Sequence, residues 1–491
     1  MKACSRCGVW KKGSKPMSFH PWHPLLIAGL CALGTPAHAQ SIEDALGGFD
    51  EPSNTPKSDT TSMDDILGGF EDSVPSEAPP VADFEISPWT ISGSLSFSAA
   101  YDYTQNTPAS TSPDFRGLSR ARTKGTLDLK GNLPDQFVVP VRVRAEVSAS
   151  HDAVFGLRDR GRYSDPHKNA FERDIRLGEV YGSAVLDDGV ELTVGRQIIV
   201  WGTSENLRVV DMINPLDRSE LGMVDIEDVR QPLAMVRGDY ITGPWIATAL
   251  VIPHIRFNTN APSQGPYDFQ NGVSYPNDVP SDGLGNAELA ASLRGAFSGW
   301  DLSLHAANLY DDAGNKQAVD GETRIRHARI NMLGVTGDVA LGNWLVKGEV
   351  AHLSGLHTQG VANTDFSRTD VLAGLEFSGL PDASLSFEVV NRHLSDWTSA
   401  LRAEGLKRNS QEYALRLSGD YMHDRLHVTA LTTRISPLQT GGGFSRGTVE
   451  YDIADALSIS GGLTVYHDGT RTPFNGIGDN DRLFFEVKKS F

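Results

Sequence analysis

Beyond residue 39 the chain has no cysteine: Cys4, Cys7 and Cys31 all fall in its first 39 residues. Neither a disulfide framework nor a thiolate metal site is therefore available to the rest, and the lone C-x-x-C at Cys4 loses any redox or zinc role. Long apolar runs are missing too. Crossing a bilayer as a helix takes about 20 consecutive apolar residues, and the leading stretch, Leu25 to Leu33, is too short. Catalytic signatures are also absent: no G-x-S-x-G, no H-E-x-x-H and no paired metal-ligand spacing accompany the 14 scattered histidines, so neither an enzyme nor a bound metal or cofactor is expected.

Positive charge is scarce except at the start. The first 39 residues carry Lys2, Arg6, Lys11, Lys12 and Lys15 and no acid, then the short apolar run, then "TPAHAQ". Basic, apolar, then small residues is the order of a secretory signal, cleaved after Ala39. Without those five bases, 39 basic residues face 62 acids, a net charge of −23. A field of that sign excludes nucleic acid as a partner.

Residues 40–88 hold twelve acids, one base (Lys57), and Pro52, Pro56, Pro75, Pro79, Pro80 and Pro88. With so little apolar area to offset ordering entropy, the segment is expected to be disordered. Within it "SIEDALGGFD" (Ser41 to Asp50) returns as "SMDDILGGFE" (Ser62 to Glu71). Ile42, Ala45, Leu46 and Phe49, like Met63, Ile66, Leu67 and Phe70, fall on one helical face, with Asp44 and Asp65 in the first turn and Gly47-Gly48 and Gly68-Gly69 as stops. Two turns are too short to be stable alone, but this is the spacing of a helix that docks in a groove. The repeats are read as docking peptides for a periplasmic adaptor or an inner-membrane transporter, with a luminal plug and a bare spacer as the rival readings.

From Trp89 the texture changes. "WTISGSLSFSAAYDY" puts Trp89, Ile91, Leu95, Phe97, Ala99, Tyr101 and Tyr103 on one face of an extended chain and mainly Ser, Thr and Asp on the other. Such alternation recurs to the end, as in "VVPVRVRAEVSAS" and "TDVLAGLEFSG". It suits membrane-spanning strands of about nine to eleven residues with lipid on one side and a lumen on the other. Eight short, turn-rich links alternate with nine longer polar ones, over 104–115, 152–172, 202–232, 254–286, 310–323, 355–367, 394–409, 435–442 and 467–481. The pattern predicts an all-β, antiparallel transmembrane barrel over 89–491, of about eighteen strands (16–18), in the cell outer membrane with its tail periplasmic. Terminal Phe491, with Val487, Phe485 and Leu483 behind it, resembles the signal read by the barrel-assembly machinery.

The second strand places Arg116, Leu118, Arg120, Arg122, Lys124 and Lys130 toward the lumen, and the third adds Arg142 and Arg144. Such a cationic ladder either selects anions or pairs with luminal acids such as Glu146, Glu376 and Glu388. The link from Trp201 to Pro232 is too apolar for a solvated loop, so it is expected to fold inward. Its "INPLDRSE" reads as a turn at Asn214-Pro215 followed by a helix capped near Asp217. Arg208, Asp211, Asp217 and Arg218 then form a polar latch or line a constriction, unless the segment is only an ordered cap.

"GRQIIVWGTS" (Gly195 to Ser204) followed by "INPLD" (Ile213 to Asp217) resembles a pattern, G-R-Q-x-x-x-W-G-x-S then I-N-P-x-D, of an uncharacterised family of proteobacterial outer-membrane proteins. The resemblance implies a barrel in contact with outer-membrane lipid, often encoded beside transporters of the resistance-nodulation-division superfamily, especially its lipid-exporter-like branch. It supplies no substrate. A weaker likeness, in strand count and basic lumen, is to the alginate export channel. Two functions stay open: a channel within a trans-envelope transport system, with lipid, other hydrophobic or anionic cargo or exopolysaccharide, and a non-conducting scaffold.

Overall fold

The alternation that starts at Trp89 makes a strand there, Trp89–Asp102. The computed structural model describes residues 89–108, 113–133, 139–224, 228–268, 272–358 and 364–491. The predicted leader, 1–39, and the acidic segment, 40–88, with both repeats, lie outside the described residues.

Among the described residues eighteen long strands pair antiparallel in a single ring, each with its neighbours in sequence. Trp89–Asp102 closes the ring by pairing with both the second strand, Gly117–Asn132, and the eighteenth, Arg482–Ser490. A closed ring leaves no unpaired backbone edge, which is what a strand-built membrane protein requires. The seam is sealed by the chain's last residue: Gly93 and Phe491 exchange backbone hydrogen bonds of 2.9 and 3.0 Å. Position 93 has to be glycine, because a Cβ there would lie 2.8 Å from the Phe491 ring and 2.4 Å from the Thr126 carbonyl.

Short and long connections alternate as the spacing predicts. Residues 188–189, 243–244, 298–299, 342–343, 381–382 and 455–456 are two-residue turns, 422–425 is a four-residue one, and 133–140 joins the second and third strands. Tight hairpins need positive φ to match strand twist, which Gly243 (φ 54°) and Gly299 (φ 84°) supply. Aromatic pairs stand at this rim: Trp245 with Phe297 (5.3 Å), Phe297 with Trp300 (4.2 Å) and Trp344 with Phe377 (4.6 Å). At the other rim nine longer links carry short ladders and small helices such as Asp165–Phe171.

The outward face is apolar. Ile91, Leu95, Phe97 and Tyr101 are 67, 57, 44 and 54% exposed in a strand whose intervening positions are serine, glycine and alanine. Large apolar side chains exposed in a continuous band belong against hydrocarbon. The main core instead lies inside the ring.

One register detail departs from simple alternation. A bulge between Ala100 and Tyr101 pairs Tyr101 with Leu118, so Leu118 shares Tyr101's outward face and does not line the lumen. Arg116 precedes the strand and is held in the external link by Asp114 (2.8 Å) and Thr107 (2.9 Å). Both were expected in the luminal ladder; the bulge takes Leu118 out of it, and Arg116 lies ahead of the strand.

Candidate functional site: the inward segment and the lumen

The 198–232 link leaves the fifth strand, Val190–Gln197, and turns into the barrel. Its exit is shaped by Gly195, at φ 136°, where a Cβ would lie 2.3 Å from the Val180 carbonyl and 2.6 Å from Tyr181 Cα. Arg196 Nε donates to the Leu177 carbonyl at 3.0 Å, and Gln197 is buried at the turn. Trp201, Leu207, Val209, Val210 and Ile213 then pack against apolar inner-wall residues including Leu250, Ile252, Leu309, Ile330, Met332 and Leu353. At about 1.5–3 kcal/mol per buried side chain, these contribute on the order of 10 kcal/mol before the entropy of ordering the segment is subtracted.

Two buried wall carboxylates fix its backbone. Glu349, on the eleventh strand, Trp344–His357, accepts from Thr203 N (2.7 Å), Ser204 N (2.9 Å) and Val210 N (3.4 Å). Glu388, on the thirteenth, Ala383–Leu394, accepts from Ser204 Oγ (2.8 Å) and the N–H groups of Glu205, Asn206 and Leu207 (3.0, 3.1 and 3.0 Å). Gly202, at φ 92°, lets the chain pass Glu349, since a Cβ there would stand 2.6 Å from Oε1. Lys347, also inward, bridges Glu205 (2.8 Å) and Glu376 (2.9 Å).

Asn214 pins the segment's return. Its Oδ1 accepts from Ile199 N at 2.7 Å, and its Nδ2 donates to the carbonyls of Gln197 (3.2 Å) and Gln231 (2.8 Å). Pro215 offers its carbonyl to Gln231 N at 2.8 Å. Asp211 is gripped by Arg208 at 3.0 Å and Arg230 at 2.8 Å. Asp217 does not start a helix: Asp217–Arg218 is a two-residue strand parallel to Thr259–Asn260. The Asn258 side chain takes Leu216 N at 2.6 Å and Thr259 N bonds the Leu216 carbonyl, which draws the backbone into extended pairing. The Asp217 carboxylate goes instead to Ser219 N (3.0 Å) and Arg176 (2.6 Å).

The far end of the segment reaches the opposite wall. Glu220 bridges Arg120 and Arg122 (2.8 Å) of the second strand, while the Leu221 carbonyl accepts from Tyr466 Oη at 2.6 Å. The second and eleventh strands stand half a ring apart, so the segment crosses the lumen. Burial alone would raise the Glu220 carboxyl, but the two guanidinium groups outweigh it and hold it well below the usual range. The 153–172 link brings His167 close by, where burial among Phe115, Phe155, Tyr163 and Phe171 pushes its imidazole down to about 4.

The remaining cations of the ladder are mostly paired. Arg144 meets Asp128 (3.0 Å), Glu146 (3.2 Å) and Glu179; Arg142 meets Glu191 (2.5 Å); Lys130 meets Asp128 (3.1 Å). Glu376 and Glu388, the other acids expected to pair with the ladder, serve Lys347 and the segment backbone. Lys124 faces the lumen with no carboxylate partner among the described residues. Below the segment, on the side of the short turns, a polar cavity of about 690 Å³ is lined by Lys130, Arg142, Arg144, Glu179, Glu191 and Arg237. A second, of about 240 Å³, shares Ile198 and Arg237 with it and runs under Trp201 and His305.

Glu349 and Glu220 escaped the sequence reading. The signal for Glu349 is that the inward positions that follow it, Ala351 and Leu353, are apolar, so an acid at their edge meets something other than water.

The solved structures that resemble this barrel are similar in fold only. OccAB3 of Acinetobacter baumannii is 12% identical, at TM-score 0.51 over 83% of this chain and 100% of that one. OpdK of Pseudomonas aeruginosa, solved with vanillate, is 11% identical at TM-score 0.48, over 82 and 98%. A loop-deletion mutant of OmpT, an outer membrane protein of Vibrio cholerae, is 11% identical at TM-score 0.39, over 82 and 99%. No curated protein matches the chain. A model described as a protein of unknown function, DUF1302, matches residues 23–491, and the chain belongs to that family.

Proposed function

We propose that the protein is an outer-membrane channel for small polar solutes, narrowed by the 198–232 segment. The observation that carries this reading is how the segment divides the inner wall. It covers the apolar half, from Leu233 and Met235 round to Leu394 and Ala414. The uncovered strip beside the seam is polar: Ser94 faces Thr126, Ser96 faces Lys124 and Lys488, and Ser98 faces Glu486, with both lysines exposed. A solvated polar strip suits sugars, amino acids and small carboxylates better than lipid, whose chains would find the apolar wall already occupied. Reconstituted in planar bilayers, the barrel should give discrete single-channel steps, and proteoliposomes should swell in neutral monosaccharides. A barrel that is folded but gives no steps and no swelling is a scaffold, and the channel reading fails.

The partner reading rests on the repeats alone. Two copies of a short amphipathic motif in one acidic segment raise effective concentration at a periplasmic partner, an adaptor or an inner-membrane transporter. Changing Leu46, Phe49, Leu67 and Phe70 to Ala should abolish capture of that partner from envelope extracts while the barrel still assembles. Capture that survives the change removes the docking role.

A further inference from the structure

The lipid-facing surface is not apolar throughout. Partners in an antiparallel ladder share a face, so outward positions follow from register with the exposed Leu333, Val350, Val371, Leu415 and Val449. Toward the rim of the long links, that face carries hydrogen-bonded polar pairs: Asn308 with Asn331 (2.8 Å), His352 with Thr369 (3.0 Å) and Asn391 with Gln411 (2.8 Å). His393 with Asn409 (2.8 Å) continues the row, and Ser445 joins Thr432 (2.9 Å) to His467 (3.2 Å). The row runs from the ninth strand, Trp300–Tyr310, to the seventeenth, Leu457–His467. On the seam arc, Tyr101 and Leu483 pair instead and keep the face apolar.

The height of the row is informative. From Trp344 at the short-turn rim to His352 is eight residues, about 20 Å at the rise and tilt of barrel strands. The apolar band thus ends at this row, and what faces the row is the head of an outer-leaflet lipid, not its chains. Its side chains are amides, imidazoles and hydroxyls, with no carboxylate among them.

Arg434 gives the row a focus. It shares the outward face, paired in register with Gly443 and Tyr413. Its Nη1 donates to the Thr433 (2.9 Å) and Phe444 (3.2 Å) carbonyls, while its Nε and Nη2 have no acceptor among the described residues. Arg434 and His467 both line a cavity of about 450 Å³ with Leu438, Gln439, Asp468 and Asp479. Asp468 accepts from Gly476 N at 2.8 Å and Asp479 from the Asn106 amide, so neither pairs with Arg434.

We propose that this row and cavity bind the headgroup of the phosphorylated glycolipid of the outer leaflet. Arg434 takes a phosphate through its free fork edge, His467 and Ser445 take sugar hydroxyls, and the acyl chains lie along the apolar band below. A planar fork whose Nε and Nη2 form one uncommitted edge is suited to bidentate phosphate geometry. The lipid, not free phosphate, is the fitting source because the site sits at the upper edge of a surface already apposed to acyl chains.

The test is native mass spectrometry of the full chain in detergent, titrated with lipid A, phosphatidylglycerol or inorganic phosphate. Lipid A should bind tightest, and Arg434→Gln combined with His467→Gln should weaken it about tenfold or more without changing the heat-modifiable migration of the folded barrel. Should that pair not fold, Arg434→Lys, which keeps the charge and loses the fork, should weaken lipid A about threefold or more. Undiminished lipid A binding by the folded variant overturns the proposal, as does equal binding of phosphatidylglycerol or of inorganic phosphate by the wild-type chain. Light scattering that shows a wild-type oligomer dissociated by these substitutions would assign the face to a second copy and overturn it equally.

Discussion

Glu388→Ala should raise the single-channel conductance of the barrel about twofold or more and make it flicker, because the anchor of the lumen-crossing segment is removed. The Glu388 side chain is wholly buried and takes four donors from three consecutive backbone N–H groups and the Ser204 hydroxyl. An alanine takes this acceptor from all four, leaving Leu207 N with only Ser204 Oγ at 3.1 Å, at about 1–3 kcal/mol for each group left unsatisfied. Several such losses are comparable with what remains of the segment's apolar packing after its ordering entropy. The barrel itself should survive, since the thirteenth strand keeps both of its ladders. Adding Glu349→Ala removes three more acceptor contacts and should enlarge the effect. Glu388→Gln, which retains one acceptor oxygen, should fall between. Planar-bilayer recording checks this, with protease susceptibility near Arg208 as a second readout. Unchanged conductance and cleavage in the double variant would mean that apolar packing alone holds the segment.

That prediction concerns residues which the sequence made only partly legible. Strands were readable because each is amphipathic with period two, and the eighteen-strand ring because short and long links alternate around it. The inward fold of the 198–232 link was readable from its excess of apolar residues. Its motif residues prove to be positions where backbone meets wall: Gly195 and Gly202 because a Cβ would clash, Ser204 and Asn214 because they satisfy buried groups. The anchors themselves were harder to see. Glu349 and Glu388 bind N–H groups 139 to 183 residues away in sequence, and a donor that every residue owns leaves no compositional trace. The bulge at Ala100 and Tyr101 left none either, which is why the sequence places Leu118 on the wrong face. At Asp217 a local helix signal lost to strand pairing with Thr259–Asn260, a tertiary contact that outweighs intrinsic propensity.

Glu220→Gln should shift the channel toward anions. Glu220 reaches across the lumen to neutralise Arg120 and Arg122, so removing its charge while keeping its shape leaves two guanidinium groups facing the path with only Asp152, 3.5 Å from Arg122, opposing them. One uncompensated charge about 4 Å from a passing ion is worth about 1 kcal/mol even at the dielectric of water, about a fivefold change in permeability ratio. Reversal potentials in a potassium chloride gradient measure it. The effect should fade toward 1 M salt, where the screening length drops to about 3 Å. The wild type should behave differently with pH. Because the folded carboxyl is held below its ordinary value, the charged latch is present at neutral and mildly acidic pH and is lost only as the pH falls through that lowered value. Wild-type selectivity should therefore stay level from about pH 8 down past the ordinary glutamate range, at about 4, and should drift in the direction of the glutamine variant only well below it. A variant whose reversal potential matches the wild type at low salt would place the conducting path away from Glu220, along the seam strip alone.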